Sequence, residues 1–396
     1  MNILYFSPSN NIGGAELSLL DILKCAKTNG HNCYVALPPM KINDEEFKNR
    51  LKPLCEKYFF VQPMPWHVVS NVDKTKNIIN YLYNIYLSGW HFASVFKIIR
   101  IIKKYQIQIV HTNTIMTIDA AIAAKISGIN HVWHIREAIG NAKDAIVRFP
   151  LQKNKRFFKK IMNFLSSKII VNSKYTYLHA EPYFPKKKLK IIYNSLPDNW
   201  FVFSSTPLTK KNVNIGIVAN VTSKIKNHSF AIKIAKIMKK KYPDLNIKFK
   251  FFGTLPPADD PYLTLLNREI LDNNLSSMVS FEGRVQSDVI YGELIDILFH
   301  PYSGEGFGRI YIEAMGKCIP VVAVNGGGVE EIITDGFNGF TVPESNPDLI
   351  VDRIANLIYD ELLYSTIIKN AYKHVRSHFS LSSNYSRIEN LYSSII

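Results

Sequence analysis

The stretch "ILFHPYSGEGFGRIYIEAMGKCIPVVAVN", residues 297–325, decides how the chain is read. A short β-rich run, "ILFHP", gives way to a loop carrying Gly304, Gly306 and Gly308. The loop feeds "RIYIEAMGK", which has helical apolar spacing, and a second apolar run, "PVVAVN", follows. Strand, glycine loop, helix and strand in this order predict one segment of a parallel α/β sheet. Two glutamates sit in it, Glu305 on the loop and Glu313 inside the helix. Carboxylates are rarely buried without a partner, and an unpartnered one beside Ile312, Ala314 and Met315 would cost several kcal/mol. Glu313 therefore needs hydrogen-bond donors, which sugar or ribose hydroxyls would supply. The backbone amides around Phe307 and Gly308, at the helix start, point at an anion, and the helix dipole adds favourable potential.

The same alternation extends in both directions. Upstream, "VNIGIVAN" begins a series with the helix "NHSFAIKIAKIMKKKYP", the strand "IKFKFFG", the helix "YLTLLNREILDNN" and the strand "VSFEG". The first half carries a separate series: "NILYFS", "AELSLLDILKCAKTNG", "HNCYVALP", then "IQIVHTN", "TIDAAIAAKISG", "HVWHIR", "KIIVNS" and "KLKIIYNS". Between the two, "SLPDNWFVFSSTPLTKKN" (195–212) loses periodicity and carries two prolines and several serines, which marks a linker. A chain of 396 residues exceeds what one core usually fills. The expected organisation is a domain over 1–196, a linker over 197–212, a second domain over 213–375, and a C-terminal helix over 376–396 that packs back on the first. Two doubly wound domains would face each other across a cleft, with ligand loops at the carboxyl ends of their strands.

Charge separates the halves. Up to residue 196 there are 28 Lys+Arg against 11 Asp+Glu, and from 197 onward 20 against 21, so all of the net +16 lies on the first half. "KNKRFFKK" (153–160) and "KKKLK" (186–190) hold much of it. So basic a half favours anionic partners such as nucleic acid, an acidic bilayer face or a phosphorylated substrate. A lysine-rich coding bias that gives solubility is the bland alternative, but bias alone would have loaded both halves. Cys25, Cys33, Cys55 and Cys318 show neither CxxC pairing nor zinc spacing and read as reduced, mostly buried thiols of a cytosolic protein. "MNILYFSPSNN" turns polar after six residues and reads as a first strand, not a leader. "YLSGWHFASVFKIIRIIKK" is interrupted by His91, Lys97 and Arg100 too soon for a spanning helix.

Three further motifs sit where such folds bind ligands. In "NIGGAE" (11–16), Gly13 and Gly14 let backbone approach a ligand closely at a helix start, although a plain strand-to-helix turn would use them too. "HVWHIRE" (131–137) sets His134 at a strand end beside Arg136 and Glu137, where it can move a proton or bind a sugar hydroxyl; a structural role is the other reading. His111, ending "IVH", reads as structural. "TSKIKNH" (222–228) offers Lys224 and Lys226 to a diphosphate, or simply as solvated surface lysines. Nothing has the spacing of a metal site.

"EGFGRIYIEAM", "IPVVA", "GGGVEEII" and "NGFTV", with "GGAE", "HIRE" and "KNH" earlier, resemble glycosyltransferase family 4 over nearly the whole chain. The resemblance implies the GT-B fold and a retaining, metal-independent transferase that takes its sugar from a nucleotide-sugar, with no cofactor. It implies Glu313 on the ribose hydroxyls and Glu305 on the transferred sugar. Gly306, Phe307, Gly308 and Arg309 would lie along the sugar and phosphates. Gly13 and Gly14 would approach the diphosphate, Lys226 would hold it, and Arg284 and Val285, after Gly283, would flank the base. His134, Glu305 and Lys226 form the implied catalytic set. The family commonly has an arginine shortly before the phosphate lysine; "ANVTSKIKNH" offers only Asn220 and Lys224 there, and lysine lacks arginine's bidentate fork.

A departing nucleotide diphosphate leaves negative charge to be met by Lys226, Lys224 and helix-start amides. With no carboxylate assigned as nucleophile, front-face transfer is expected, the leaving phosphate helping to deprotonate the acceptor hydroxyl. The basic half then suits a glycan or lipid-linked acceptor at the inner face of an anionic membrane, the chain being cytoplasmic and peripheral. A nucleotide-sugar epimerase and a transferase acting on a soluble acceptor are the alternatives. No nucleic-acid-binding motif accompanies the basic surface, and oligomeric state is not readable.

Overall fold

The computed structural model describes residues 1–10, 12–39, 45–63, 68–69, 93–139, 147–148, 154–204, 212–222 and 224–396. Asn11 of "NIGGAE", residues 86–92 of the longest apolar stretch, Lys153, residues 205–211 of the linker and Ser223 lie outside the described residues. The chain divides into two compact units, Met1–Ser195 with Leu381–Ile396, and Leu196–Ser380.

In the first unit the strands are β1 (Asn2–Phe6), β2 (Asn32–Leu37), β3 (Lys57–Phe60), β4 (Val68–Val69), β5 (Ile109–Thr112), β6 (Asn130–Ile135), β7 (Val147–Arg148), β8 (Lys168–Val171) and β9 (Leu189–Ile191). Seven of them form a parallel sheet in the order β3-β2-β1-β5-β6-β8-β9, while β4 and β7 make a small antiparallel pair. Helices α1 (Gly14–Thr28), α2 (Glu45–Leu51), α3 (93–104), α4 (Asp119–Ile126), α5 (Lys155–Leu165) and α6 (Lys174–Ala180) lie between strands. Every residue of β5 is buried, as a strand covered on both faces requires. On one side the core gathers Leu19, Leu23, Val35 and Ile109 with Leu381, Tyr385, Ile388 and Leu391. On another it gathers Trp133, Ile135, Phe158 and Met162.

The second unit repeats the pattern with β10 (Val213–Val218), β11 (Ile247–Phe252), β12 (Val279–Gly283), β13 (Ile297–His300), β14 (Val321–Val324) and β15 (Phe340–Val342), all parallel, in the order β12-β11-β10-β13-β14-β15. Its helices are α7 (His228–Lys241), α8 (Pro261–Asp272), α9 (Ser287–Val289, running into a π-helical turn), α10 (Arg309–Gly316), α11 (Pro347–Tyr359) and α12 (Glu361–His378). Residue 376, where the C-terminal tail was expected to begin, lies inside α12. The last helix, α13 (Leu381–Ser393), belongs to the first unit and lies against α1.

Both units are therefore doubly wound sheets of the Rossmann type. In each, strand order reverses beside the first strand: between β1 and β5, and between β10 and β13. Loops leaving adjacent strands in opposite directions open a crevice at such a point, on the carboxyl edge. The loops after β10 and β13 are thereby neighbours, which brings Lys226 and Glu305 together. Among the described residues no helix is long and apolar enough to cross a membrane, and the four cysteines are free thiols.

Candidate active site

In the second unit the loop Pro301–Gly308 leaves β13 and enters α10. Gly308, the residue before the helix, has φ +88°, and a Cβ there would stand 2.1 Å from Cε2 of Tyr311. Only glycine fits this left-handed, crowded position. The loop is backed by the second glycine run: Gly328 N donates to Glu305 O at 2.7 Å. A Cβ on Gly327, whose φ is +67°, would stand 2.4 Å from that same oxygen. The run "GGGV" therefore holds the loop backbone to backbone. Phe307 is an anchor, its buried ring 5.5 Å from that of Phe379. Gly306 lies between that anchor and Glu305.

Lys226 ends a turn after β10, and the turn is pinned by Asn227, which has φ +56°. Asn227 Nδ2 donates to Pro301 O at 3.2 Å and to Glu344 Oε1 at 2.8 Å. Lys226 Nζ in turn donates to Glu305 Oε1 and lies 4.8 Å above the Tyr302 ring. Burial would raise the Glu305 carboxyl, but the Lys226 ammonium outweighs it and holds the group well below the usual carboxylate range. His300 Nε2 stands 3.6 Å from the same Glu305 oxygen. His300 is only 1% exposed, its ring meets Tyr311 edge-on at 5.3 Å, and neither ring nitrogen has a hydrogen-bond partner. Burial keeps that imidazole below its ordinary pKa and neutral near pH 7. Lys224 takes a different direction from Lys226: its ammonium is 5.8 Å above the Tyr262 ring. Asn220 is occupied locally, its Oδ1 accepting from Thr254 N at 2.9 Å.

Glu313 is 4% exposed, and its donor comes from within the chain: Arg309 Nε donates to Glu313 Oε1 at 2.8 Å, one helical turn away. One of the donors that Glu313 was expected to need is thus supplied by the chain itself. Helical i,i+4 spacing brings the two side chains together, and burial makes the pairing necessary. The Glu313 carbonyl accepts from Trp200 Nε1 at 3.0 Å. Arg284 and Val285 follow β12, two strands out from β10 on the same carboxyl edge; Arg284 is exposed and Val285 half-buried.

In the first unit, Gly13 N donates to Glu16 Oε2 at 3.2 Å, the half of a capping box that a glycine N-cap allows at the start of α1. A Cβ on Gly14 would meet nothing within 4 Å, so packing does not demand glycine there. His134 is 2% exposed, and burial together with Arg136 keeps it neutral. Its Nδ1 lies 3.4 Å from Arg136 Nη2, and its ring 5.3 Å from that of His111. Arg136 is the hub: Nη2 donates to Asn113 Oδ1 at 3.0 Å, Nε to Asn113 O at 3.2 Å and Nη1 to Asn194 Oδ1 at 2.5 Å. His111 is structural as expected, its Nδ1 lying 2.5 Å from Tyr392 Oη of α13. Burial raises Glu137 to about 7, against the pull of the Arg136 amide and guanidinium. Among the described residues no group of histidines, cysteines and carboxylates could hold a metal ion.

His300, Asn227 and the contact of Gly327 and Gly328 with the loop were not singled out from the sequence. His300 carried the only available signal, a histidine closing an otherwise apolar strand.

The family model described as "Glycosyl transferases group 1" matches residues 198–374, and that described as "Glycosyltransferase Family 4" matches residues 12–199. An uncharacterized glycosyltransferase of Methanocaldococcus jannaschii is 26% identical over 307 residues, covering 76% of this chain and 78% of that protein. The capsular polysaccharide biosynthesis glycosyltransferase CapM of Staphylococcus aureus is 27% identical over 195 residues, 48% of each chain. Among solved structures, Anabaena HepE in complex with UDP and glucose superposes with a TM-score of 0.78 at 22% identity, covering 100% of both chains. The chain belongs to glycosyltransferase family 4, the group 1 glycosyltransferases of GT-B fold.

Proposed function

We propose that the chain is a retaining, metal-independent transferase that moves a sugar from a UDP-sugar to a hydroxyl of a glycan or lipid-linked acceptor in bacterial surface-polysaccharide synthesis. The observation that carries the donor half is the Lys226–Glu305 pair beside the helix-start amides of α10. A cation already half-engaged by a carboxylate can be drawn onto a diphosphate while the carboxylate turns to sugar hydroxyls. Lys226 and the amides of Phe307 and Gly308 then meet the charge that develops as the anomeric C–O bond breaks. Glu313, oriented by Arg309, would accept from the ribose hydroxyls, with Arg284 and Val285 flanking the base. The Gly14 amide, and the Gly13 amide once released from Glu16, would meet the diphosphate, and Lys224 would add longer-range charge.

As the anomeric C–O bond breaks, the leaving diphosphate oxygen takes the bonding pair, the acceptor oxygen attacks the same face, and its proton passes to that phosphate oxygen. His134 would steady the sugar as a neutral hydrogen-bonding group. UDP is favoured because HepE was solved with UDP and with UDP-glucose. The surface-polysaccharide setting is favoured by CapM, whose name places it in capsule synthesis. The excess positive charge of the first unit favours an acceptor held at an anionic, inner-membrane face. Transfer assayed in chelator with anomeric NMR of the product tests the reading: it should persist and retain configuration. Inverted product, dependence on divalent metal, or a covalent glycosyl-enzyme trapped with a slow donor would overturn it. Donor incubated alone separates the epimerase alternative, which would release nucleotide and an epimerised sugar.

A further inference from the structure

Helix α5 carries an outward face unlike that of an ordinary surface helix. Its inner face buries Phe158, Met162 and Leu165. At 100° per residue, Phe157 and Phe164 fall within about 20° of each other, about 115° round from that buried stripe and about 10 Å apart along the axis. They are 48% and 62% exposed. Arg156 and Lys160 flank them, also exposed, and Lys155 opens the helix. Next door, α4 ends in exposed Lys125 and Ile126, and the Lys125 ammonium sits 4.4 Å above the Phe164 ring. A soluble surface normally places its polar residues there and its aromatics inside. From residue 145 to 180 the sequence has eight Lys+Arg and no Asp or Glu.

At the C-terminal end of α5 the surface drops into a cavity of about 460 Å³ lined by Lys125, Phe164, Ser166, Ser167 and Lys188, with no acidic residue in its wall. Burial and the ammoniums of Lys187, Lys125 and Lys168 hold Lys188 below the ordinary lysine range, as expected of positive charge with no local counter-ion. Glu181, whose carbonyl accepts from Lys159 of α5 at 3.3 Å, has its carboxylate paired with Lys186 at 2.5 Å.

We propose that the outward face of α5, with the tip of α4 and the cavity beside Phe164, is the surface by which the chain lies on an anionic phospholipid bilayer. This rests on the reading of an acceptor held at such a membrane, and deepens it by assigning the surface. Two exposed aromatics one heptad apart enter the headgroup boundary, the surrounding cations meet lipid phosphates, and the cavity receives a headgroup phosphate.

Flotation with phosphatidylcholine vesicles containing phosphatidylglycerol, against phosphatidylcholine alone, tests it. Wild type should float with the anionic vesicles at low salt and far less with the neutral ones. Phe157→Ser with Phe164→Ser should lower partitioning at least about tenfold at every salt concentration. Arg156→Gln with Lys160→Gln should lower it about fivefold per charge at low salt, with little effect at high salt. Excess inorganic phosphate that abolishes binding by wild type, where sodium chloride of the same ionic strength does not, would mark a free-phosphate site instead and overturn the bilayer assignment. Absence of wild-type binding to anionic vesicles, or unchanged binding by the double phenylalanine variant, would overturn it as well. All four positions are exposed, so urea midpoints should match wild type. Stabilisation by nucleotides, measured on the same samples, reports the donor site separately from the membrane surface.

Discussion

Lowering the pH from about 7.5 to about 5.5 should destabilise the first unit through its buried histidines, and Glu137 should mask part of the loss. Burial lowers His111 to about 3, with Arg136 and His131 adding to the effect. Burial likewise lowers His131 to about 3. Both have an ordinary value of 6.5, so between these limits the unfolded chain binds protons that the folded chain refuses. Stability then falls as pH drops below 6.5, and each histidine costs about tenfold in the folding equilibrium at pH about 5.5 relative to pH about 7.5. Together they cost about 3 kcal/mol, and His134, shifted in the same direction, adds to it. Glu137 acts oppositely: raised from 4.5 to about 7, it binds a proton in the folded state first. Its contribution grows by about 2 kcal/mol over the same interval. Wild type should therefore show a modest loss, and Glu137→Gln a steeper one of about 3 kcal/mol or more, because the opposing group is gone. Urea unfolding at the two pH values, followed by fluorescence, reads this directly; Trp133, 4.7 Å from His131, is a local reporter. A Glu137→Gln variant as stable at the lower pH as at the higher would refute the reasoning, as would His111 and His131 titrating near 6.5 by NMR.

The remaining predictions concern the candidate site. Gly308→Ala forces a side chain into φ +88° and onto Tyr311; it should cost about 2–5 kcal/mol in urea unfolding, whereas Gly14→Ala, facing open space, should stay within about 0.5 kcal/mol. If Gly14 is where backbone approaches the donor, that stable variant should nevertheless bind nucleotide-sugar more weakly by calorimetry. Lys226→Ala should weaken nucleotide diphosphate binding by about 10- to 100-fold, the range of a charge-assisted hydrogen bond, and Lys224→Ala by less than about threefold. Equal losses would mean that the divergence of the two lysines has no functional weight.

The parallel sheets were legible because their strands are buried on both faces and read as apolar runs. β5, β6, β10 and β13 fell where "IQIVHTN", "HVWHIR", "VNIGIVAN" and "ILFHP" predict. β3 was missed because "KYFF" is a half-exposed edge strand without that signature. α5 was read only as a run of charge because "KNKRFFKK" was taken on its own, and the helical spacing of Phe158, Met162 and Leu165 runs past its end. At the site, the meeting of Lys226 with Glu305 depends on β10 lying beside β13, a long-range fact that no local pattern carries. The partner of Glu313 was written four residues upstream as Arg309 and was legible in principle from helical spacing alone. His134 shows the opposite limit: its strand was readable, but its enclosure follows from the Arg136 hub and from α13, which returns from the far end of the chain to Tyr392 and His111.

The central claim, that the second unit holds a nucleotide-sugar through the loop between β13 and α10, is tested most directly by thermal unfolding of wild type and Glu313→Ala across UDP, GDP, ADP and their sugars. One nucleotide family should stabilise wild type by about 2.7 kcal/mol at a hundredfold excess over its Kd. Glu313→Ala, shown to be folded by its circular dichroism, should lose that shift. A folded Glu313→Ala variant that keeps the full shift, or a wild type that none of these ligands stabilises, would contradict the account.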